Sequence, residues 1–306
     1  MNVAVTGGSG FIGSHVVDQL IDAGHAVTVI DSLPPQRADA VWLRLDITDH
    51  SQVAGSLSGF DALFHLAAMA NVNDVAAAPV ESVDLNVAAT GYLLEAARQA
   101  GSCHFVLAST VWVYEASSDR EVNESTPLAP DGVKHLYTAE KIAAEMLAHA
   151  YNQLYGVPVT VLRYGIPYGP RMREQLVMPV FIKKALSGEP LTVAGDGLQY
   201  RNFVYVEDLA DAHVRVLERR ATGTFNLEGP REVAIIEVAE AVTKGVPGSV
   251  GIVKTEARAG DYQGRVVSRQ RAKEVLGWEP TTSFEAGFAR TLEWFLAKWS
   301  PQLQRA

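Results

Sequence analysis

Tyr137 and Lys141 stand four residues apart at the start of a helical pattern spanning 137–154, so both side chains fall on one helix face. A tyrosine ordinarily titrates near ~10, so to act as a base near neutrality its phenolate needs roughly 4 kcal/mol of preferential stabilisation. An ammonium one helical turn away supplies part of that. A tyrosine and a lysine at this spacing also arise by chance as two helix-surface side chains. A third group raises the chemical reading: Ser109 and Thr110 are expected directly after an apolar strand run, 104–108. Open α/β sheets bind their ligands at the C-terminal ends of their strands. A hydroxyl there could hold a substrate oxygen while a proton passes to or from Tyr137.

A second group of residues is suited to a phosphorylated cofactor. The run Thr6-Gly7-Gly8-Ser9-Gly10-Phe11-Ile12-Gly13 lies between a strand, 2–5, and a helix, 11–23. Glycines let the backbone turn sharply and approach a pyrophosphate, and the helix N-terminus offers unpaired N–H groups and a partial positive charge. Glycine-rich turns also occur for purely structural reasons, but this one is placed at the first strand–helix junction. Asp31 ends the second strand about twenty residues on. Its carboxylate can accept both ribose hydroxyls of an adenosine and would repel a 2′-phosphate, which favours NAD over NADP; the alternative is a loop-capping aspartate. Ser32 follows it. Asp46 and Ile47 end the third strand at the height of an adenine ring. After the fourth strand, Leu66, Ala67 and Ala68 let the backbone pass close to the cofactor. His65 reads as a packed strand-end histidine rather than an acid or base.

Positioning these groups calls for alternating strands and helices. Strands are expected at 2–5, 26–30, 41–45, 62–65, 104–108 and 159–163, with helices such as 11–23, 86–100 and 137–154 between them. That alternation is the pattern of βαβ units and a parallel sheet covered on both faces. Beyond Gly169 prolines and glycines become frequent and the alternation breaks. The expected architecture is α/β: a doubly wound parallel sheet of the Rossmann type over 1–168, with returning segments at about 199–228, and a smaller mixed α/β lobe from 169–198 and 229–306.

Bulk properties narrow the function classes. The chain has 306 residues, 48% of them hydrophobic, and a net charge of −9. An acidic chain without basic clusters is not expected to bind nucleic acid or an anionic membrane. No apolar run reaches the roughly 18 residues needed to span a bilayer, and no signal peptide is visible, so a cytoplasmic protein is expected. The single cysteine, Cys103, excludes an intrachain disulfide and reads as a packed strand residue. No metal site is expected.

The ordered set of motifs resembles the extended short-chain dehydrogenases, specifically the NAD-dependent epimerase/dehydratase family of nucleotide-sugar enzymes. It runs from 6–13 through Asp31, 65–68, Asn86, Ser109-Thr110…Tyr114 and Tyr137-x-x-x-Lys141 to Arg163-Tyr164…Tyr168-Gly169-Pro170. It continues with Gly195-Asp196-Gly197…Arg201-Asn202-Phe203, Tyr205-Val206…Asp208, Arg258…Asp261 and Leu276-Gly277-Trp278…Pro280. The resemblance implies that Tyr137 is the acid/base, that Lys141 orients the nicotinamide ribose and tunes the tyrosine, and that Thr110 completes the triad. It places Asn86, Ser109 and Tyr164 beside the cofactor, and Arg201 and Arg258 on the nucleotide diphosphate, a role suited to bidentate donors. Family members that dehydrate or decarboxylate carry a Glu soon after the Ser/Thr, whereas here Val111-Trp112-Val113-Tyr114 follow. The absence favours 4-epimerisation through a transient 4-keto sugar. Ile166 stands where an Asn commonly touches the substrate phosphate, Glu115 where Gly is usual, and Asn202 where Asp is usual. Arg173 resembles an arginine that meets the sugar carboxylate, which favours UDP-glucuronate, with UDP-glucose or UDP-N-acetylglucosamine next. The alternatives are a 4-ketoreductase, a dehydratase or decarboxylase that recruits Glu115, and a redox-inactive NAD sensor. Alanine-rich helices at 86–100 and 137–154 imply a homodimer.

Overall fold

In the computed structural model, residues 1–101, 103–256 and 265–303 are described. Seven parallel strands form the central sheet: β1 (Asn2–Thr6), β2 (Ala26–Ile30), β3 (Val41–Leu43), β4 (Ala62–His65), β5 (His104–Thr110), β6 (Val159–Tyr164) and β7 (Gly223–Leu227). Their spatial order is β3-β2-β1-β4-β5-β6-β7, parallel at every pairing. Parallel neighbours require long crossovers, and these are provided by helices including α1 (Phe11–Asp22), α2 (Ala89–Ala100), α3 (Leu136–Tyr155) and α4 (Val206–Arg219). Strands covered on both faces show no alternation of burial, and all seven residues of β5 are buried. Both β2 and β4 pair with β1, so the order in which strands are added reverses there and a crevice opens beyond the C-terminal ends of β1 and β4.

One core lies against this sheet where Leu93, Leu94, Ala96 and Ala97 of α2 and Ala144 and Ala148 of α3 meet Phe105 and Leu107 of β5. Alanines let the two helices lie close to each other and to the strand. The leucines and Phe105 carry the larger share of the burial energy, about 1.5–3 kcal/mol per side chain.

The chain divides into two compact units. The first comprises Met1–Tyr164, Ala210–Leu227 and Arg265–Trp278. The second comprises Gly165–Leu209 and, among the described residues, 228–256 and 279–303. This corrects the expected limits. The first stretch ends at Tyr164 rather than 168 because Ile166–Tyr168 pairs with Phe203–Tyr205 in a small parallel sheet of the second unit. A further return, Arg265–Trp278, went unanticipated; Val266–Val267 adds a two-residue ladder to Glu121–Val122. The second unit is mixed α/β, with Leu191–Ala194 parallel to Ile252–Thr255, Tyr200–Arg201 antiparallel to Val233–Ala234, and helices Val177–Leu186, Ile235–Gly245 and Phe284–Leu303. Tyr168, Phe203, Tyr205 and Phe284 form its aromatic centre.

Three boundaries shift in ways that bear on function. β5 continues through Ser109 and Thr110, so these hydroxyls sit on the sheet itself, paired in register with Arg163 and Tyr164 of β6. β3 stops at Leu43, because Asp46 turns the chain by accepting from the Thr48 amide and hydroxyl. α2 starts at Ala89, preceded by a π-helical turn, Asp84–Ala88, that carries Asn86. Such turns are frequent at functional sites.

Candidate active site

The glycine turn after β1 is built so that no other residue type fits at its ends. Gly7 has φ +69°, and a Cβ there would stand 2.7 Å from the Ala67 amide nitrogen. At Gly13 a Cβ would stand 2.1 Å from the Gly7 carbonyl oxygen. Gly10 caps α1 without a side-chain hydrogen bond. The amides of Phe11, Ile12 and Gly13 open the helix and have no acceptor within it. Asp31 accepts from the Ser9 and Leu33 amides, each at 3.0 Å, and lies 3.5 Å from the Ser32 hydroxyl, which ties the glycine turn to the end of β2. A glycine cradle that any Cβ would fill, ahead of a helix N-terminus and with a carboxylate at the end of β2, suits the diphosphate and ribose of NAD. Asp46 uses its carboxylate on its own turn, and Ile47 is a buried core residue.

Across the crevice, Leu66, Ala67 and Ala68 are half-buried and follow His65. The Ala67 amide donates to Thr6 Oγ1 at 3.3 Å. His65 lies between Thr6 Oγ1 (2.8 Å) and Thr90 Oγ1 (3.0 Å). Thr90 in turn donates to the Asn86 carbonyl. Burial, with Lys141 adding to it, pushes the imidazole down to about 3, so His65 is neutral and structural. Asn86 brackets Met69 on both sides: its side chain accepts from the Met69 amide and donates to the Met69 carbonyl, both at 2.9 Å. It therefore fixes the loop that follows β4, on the cofactor side of the sheet.

The reactive groups collect at the C-terminal ends of β5 and β6 and the start of α3. Lys141 is buried, with Nζ donating to the Ala108 carbonyl at 2.9 Å and lying 5.9 Å from the centre of the Tyr137 ring. Burial lowers the lysine to about 8, opposed by the Glu140 and Glu145 charges. Tyr137 is half-buried, one turn before Lys141. Thr110 is buried and accepts from the Trp112 amide at 3.2 Å, at the start of the tight turn Val111–Tyr114. The Ser109 hydroxyl points elsewhere: it donates to Glu145 at 2.5 Å. Tyr164 is buried with its hydroxyl 2.6 Å from His213 Nε2. Its phenol is raised by burial and by the neighbouring Tyr137.

Residues 3–227 match the NAD dependent epimerase/dehydratase family. The chain belongs to this family. NAD is accordingly its cofactor. Among curated proteins it is 34% identical over 304 residues to UDP-glucuronic acid decarboxylase 1 of Arabidopsis thaliana, covering 96% of this chain and 70% of that protein. Among solved structures it is similar to a UDP-glucose 4-epimerase of Thermotoga maritima with UDP-glucose (TM-score 0.88, 31% identity, 97% of this chain and 99% of that one). It is also similar to a UDP-glucuronic acid 4-epimerase of Bacillus cereus in complex with UDP-glucuronic acid and NAD (TM-score 0.88, 26% identity, 98% and 100%).

Of the expected substrate residues, Thr110 lies in the first unit and Ile166, Arg173 and Arg201 lie in the second. Ile166 is half-buried, its amide donating to the Asn202 carbonyl at 3.1 Å. Arg201 is half-buried and donates to the Tyr200 carbonyl at 2.8 Å. Arg173 is exposed, in a turn whose carbonyl accepts from the Leu176 amide. Arg258 lies outside the described residues. Glu115, an alternative proton carrier, has its carboxylate bonded to the Lys134 amide at 2.8 Å.

The polar groups beneath the reactive residues had no assigned role in the sequence. Glu145 and Arg163 form a buried, bidentate ion pair with a closest approach of 2.6 Å. Arg163 also donates to the Tyr114 hydroxyl, which donates to Asn226 at 3.0 Å. Glu140 accepts from Ser82 and Asn86. Local sequence does not separate Glu140 and Glu145 from solvated helix charges: the i±4 neighbours of Glu145 are Lys141 and His149.

Proposed function

We propose that the protein is an NAD-dependent nucleotide-sugar 4-epimerase whose substrate is UDP-glucuronate. The observation that carries this reading is the stretch after Thr110. Val111–Tyr114 contains no carboxylate, and the next one, Glu115, is held by the Lys134 amide. Dehydration needs a second proton-transfer group at the sugar, whereas epimerisation needs one acid/base that works in both directions. Tyr137 takes the C4 hydroxyl proton and later returns it, with Thr110 holding the same oxygen. Lys141, still mostly charged at neutral pH with its ammonium lowered only to about 8, favours the phenolate and orients the nicotinamide ribose. NAD accepts the C4 hydride and gives it back to the other face of the 4-keto sugar. Arg201 and Arg258 hold the diphosphate and Arg173 the uronate carboxylate. The uronate is favoured by relatives of two activities that share it, the Arabidopsis decarboxylase and the Bacillus cereus epimerase.

The 34% identity to a decarboxylase favours one second reading. A 4-keto uronate is a β-keto acid, and it can lose CO2 without a further acid/base. Product analysis by NMR, with UDP-glucuronate and a trace of NAD, separates the two. The C4 epimer without net NADH supports the epimerase; a UDP-pentose with CO2 supports the decarboxylase. Turnover of UDP-glucose or UDP-N-acetylglucosamine alone retains the mechanism and discards the uronate.

No described helix is long and apolar enough to cross a membrane. Cys103, the single cysteine, is buried and unpaired, and we propose a cytoplasmic location. On α3 the side chains of Met146 and Leu154 are exposed, and this face is the proposed homodimer contact.

A further inference from the structure

Four buried charges lie together in the first unit: Glu140, Lys141, Glu145 and Arg163, each no more than 5% exposed. Two are cationic and two anionic, so the set balances, and a buried charge without a counter-charge is strongly disfavoured. Glu145 is committed to Arg163 through both carboxylate oxygens and also accepts from Ser109. Lys141 gives a hydrogen bond to a neutral carbonyl, that of Ala108. Glu140 is thus the anion left to balance Lys141. Its carboxylate accepts from the Ser82 hydroxyl and, at 2.6 Å, from Asn86 Nδ2, and its charge opposes the lowering of Lys141. Asn86 in turn grips Met69 at both its amide and its carbonyl, at the end of the loop whose Ala67 closes over Gly7.

We infer that Glu140 is a positioning residue with two linked tasks: it is the counter-ion that keeps the Lys141 ammonium charged, and it anchors, through Asn86, the loop lining the cofactor crevice. This rests on the reading of Lys141 as the residue that orients the cofactor ribose and tunes Tyr137. The other groups facing Lys141 cannot take the first task. His65 on β4 is neutral, Tyr137 is on the lysine's own helix with the reacting phenol, and Glu145, the weaker of the two charges that support Lys141, is already shared with Arg163 of β6.

The test is Glu140→Gln in the NAD-loaded protein. A glutamine can still accept from Asn86 and donate to Ser82, so the anchor persists while the charge is lost. The readout is the titration of the Lys141 ε-carbon by NMR, assigned by its disappearance in Lys141→Met. We expect the midpoint to fall by about one pH unit, and the alkaline limb of turnover to move down with it. Glu140→Asp, whose carboxylate withdraws by one methylene, is expected to give a smaller downward shift. A wild-type midpoint in whichever of the two variants folds overturns the inference. Tyr137→Phe keeps the two readings apart: if it turns over normally, the assignment of the reactive site fails, whereas its inactivity with an unmoved Lys141 titration in Glu140→Gln sinks only the role given to Glu140.

Discussion

The hydrogen bonds around His65 define its tautomer and set a measurable acid sensitivity. Thr90 donates to the Asn86 carbonyl, so its oxygen accepts from His65 Nε2–H. Nδ1 is then the acceptor for the Thr6 hydroxyl, whose oxygen also takes the Ala67 amide. A proton on Nδ1 would set two donors against each other in a buried site. His104 is similar: its Nε2 meets Thr160 Oγ1 at 2.8 Å, and that hydroxyl donates to the Ala221 carbonyl. Burial lowers His65 to about 3 and His104 to about 4, from 6.5. The folded state therefore stays neutral at both rings as pH falls, while the unfolded chain takes up protons below 6.5. Stability rises with pH across this window and is lost on acidification. At pH 5.0 each histidine removes about 2 kcal/mol, or roughly 4 kcal/mol together. Urea unfolding at saturating NAD, compared between pH 7.5 and 5.0, measures it. His104→Gln should halve the loss. Equal stability at the two pH values, or a His65 ring that titrates near 6 in the folded protein, would refute the reasoning.

Other consequences follow from the same geometry. Gly13→Ala puts a methyl against the Gly7 carbonyl, and NAD retained through purification should drop to near zero, read by absorbance after denaturation. Tyr137→Phe should lower kcat by about 10²–10⁴-fold with NAD content unchanged; a smaller loss would remove Tyr137 as the acid/base. Arg163→Met leaves Glu145 buried without its partner and should cost about 3–5 kcal/mol of stability, seen as a lower urea midpoint. Sedimentation at micromolar concentration should give a dimer that Met146→Glu and Leu154→Glu convert to monomer; a wild-type monomer would remove the proposed interface.

The sheet was largely legible because parallel strands buried on both faces leave continuous apolar runs, as in β1, β4 and β5. The glycine turn was legible for a different reason, since close backbone approach leaves no choice of residue at Gly7 and Gly13. The polar floor of the site was not. Glu140 and Glu145 on a helix read as solvated charges, and their burial depends on Ser82, Asn86 and Arg163, which are remote in sequence. Ser109 illustrates the same gap: its place near the C-terminal end of β5 was readable, but its hydroxyl turns to Glu145. The limits of the second unit were misjudged because its sheets are only two to four residues long per strand, too short for periodicity to register.

The most direct measurement is the fate of a label in UDP-[4-²H]glucuronate turned over with a trace of NAD. Epimerisation through Tyr137 and a hydride that leaves and returns predicts the C4 epimer with deuterium kept at C4, no CO2 released and no NADH accumulated. A UDP-pentose with stoichiometric CO2, or an epimer that has lost its deuterium to solvent, would contradict it.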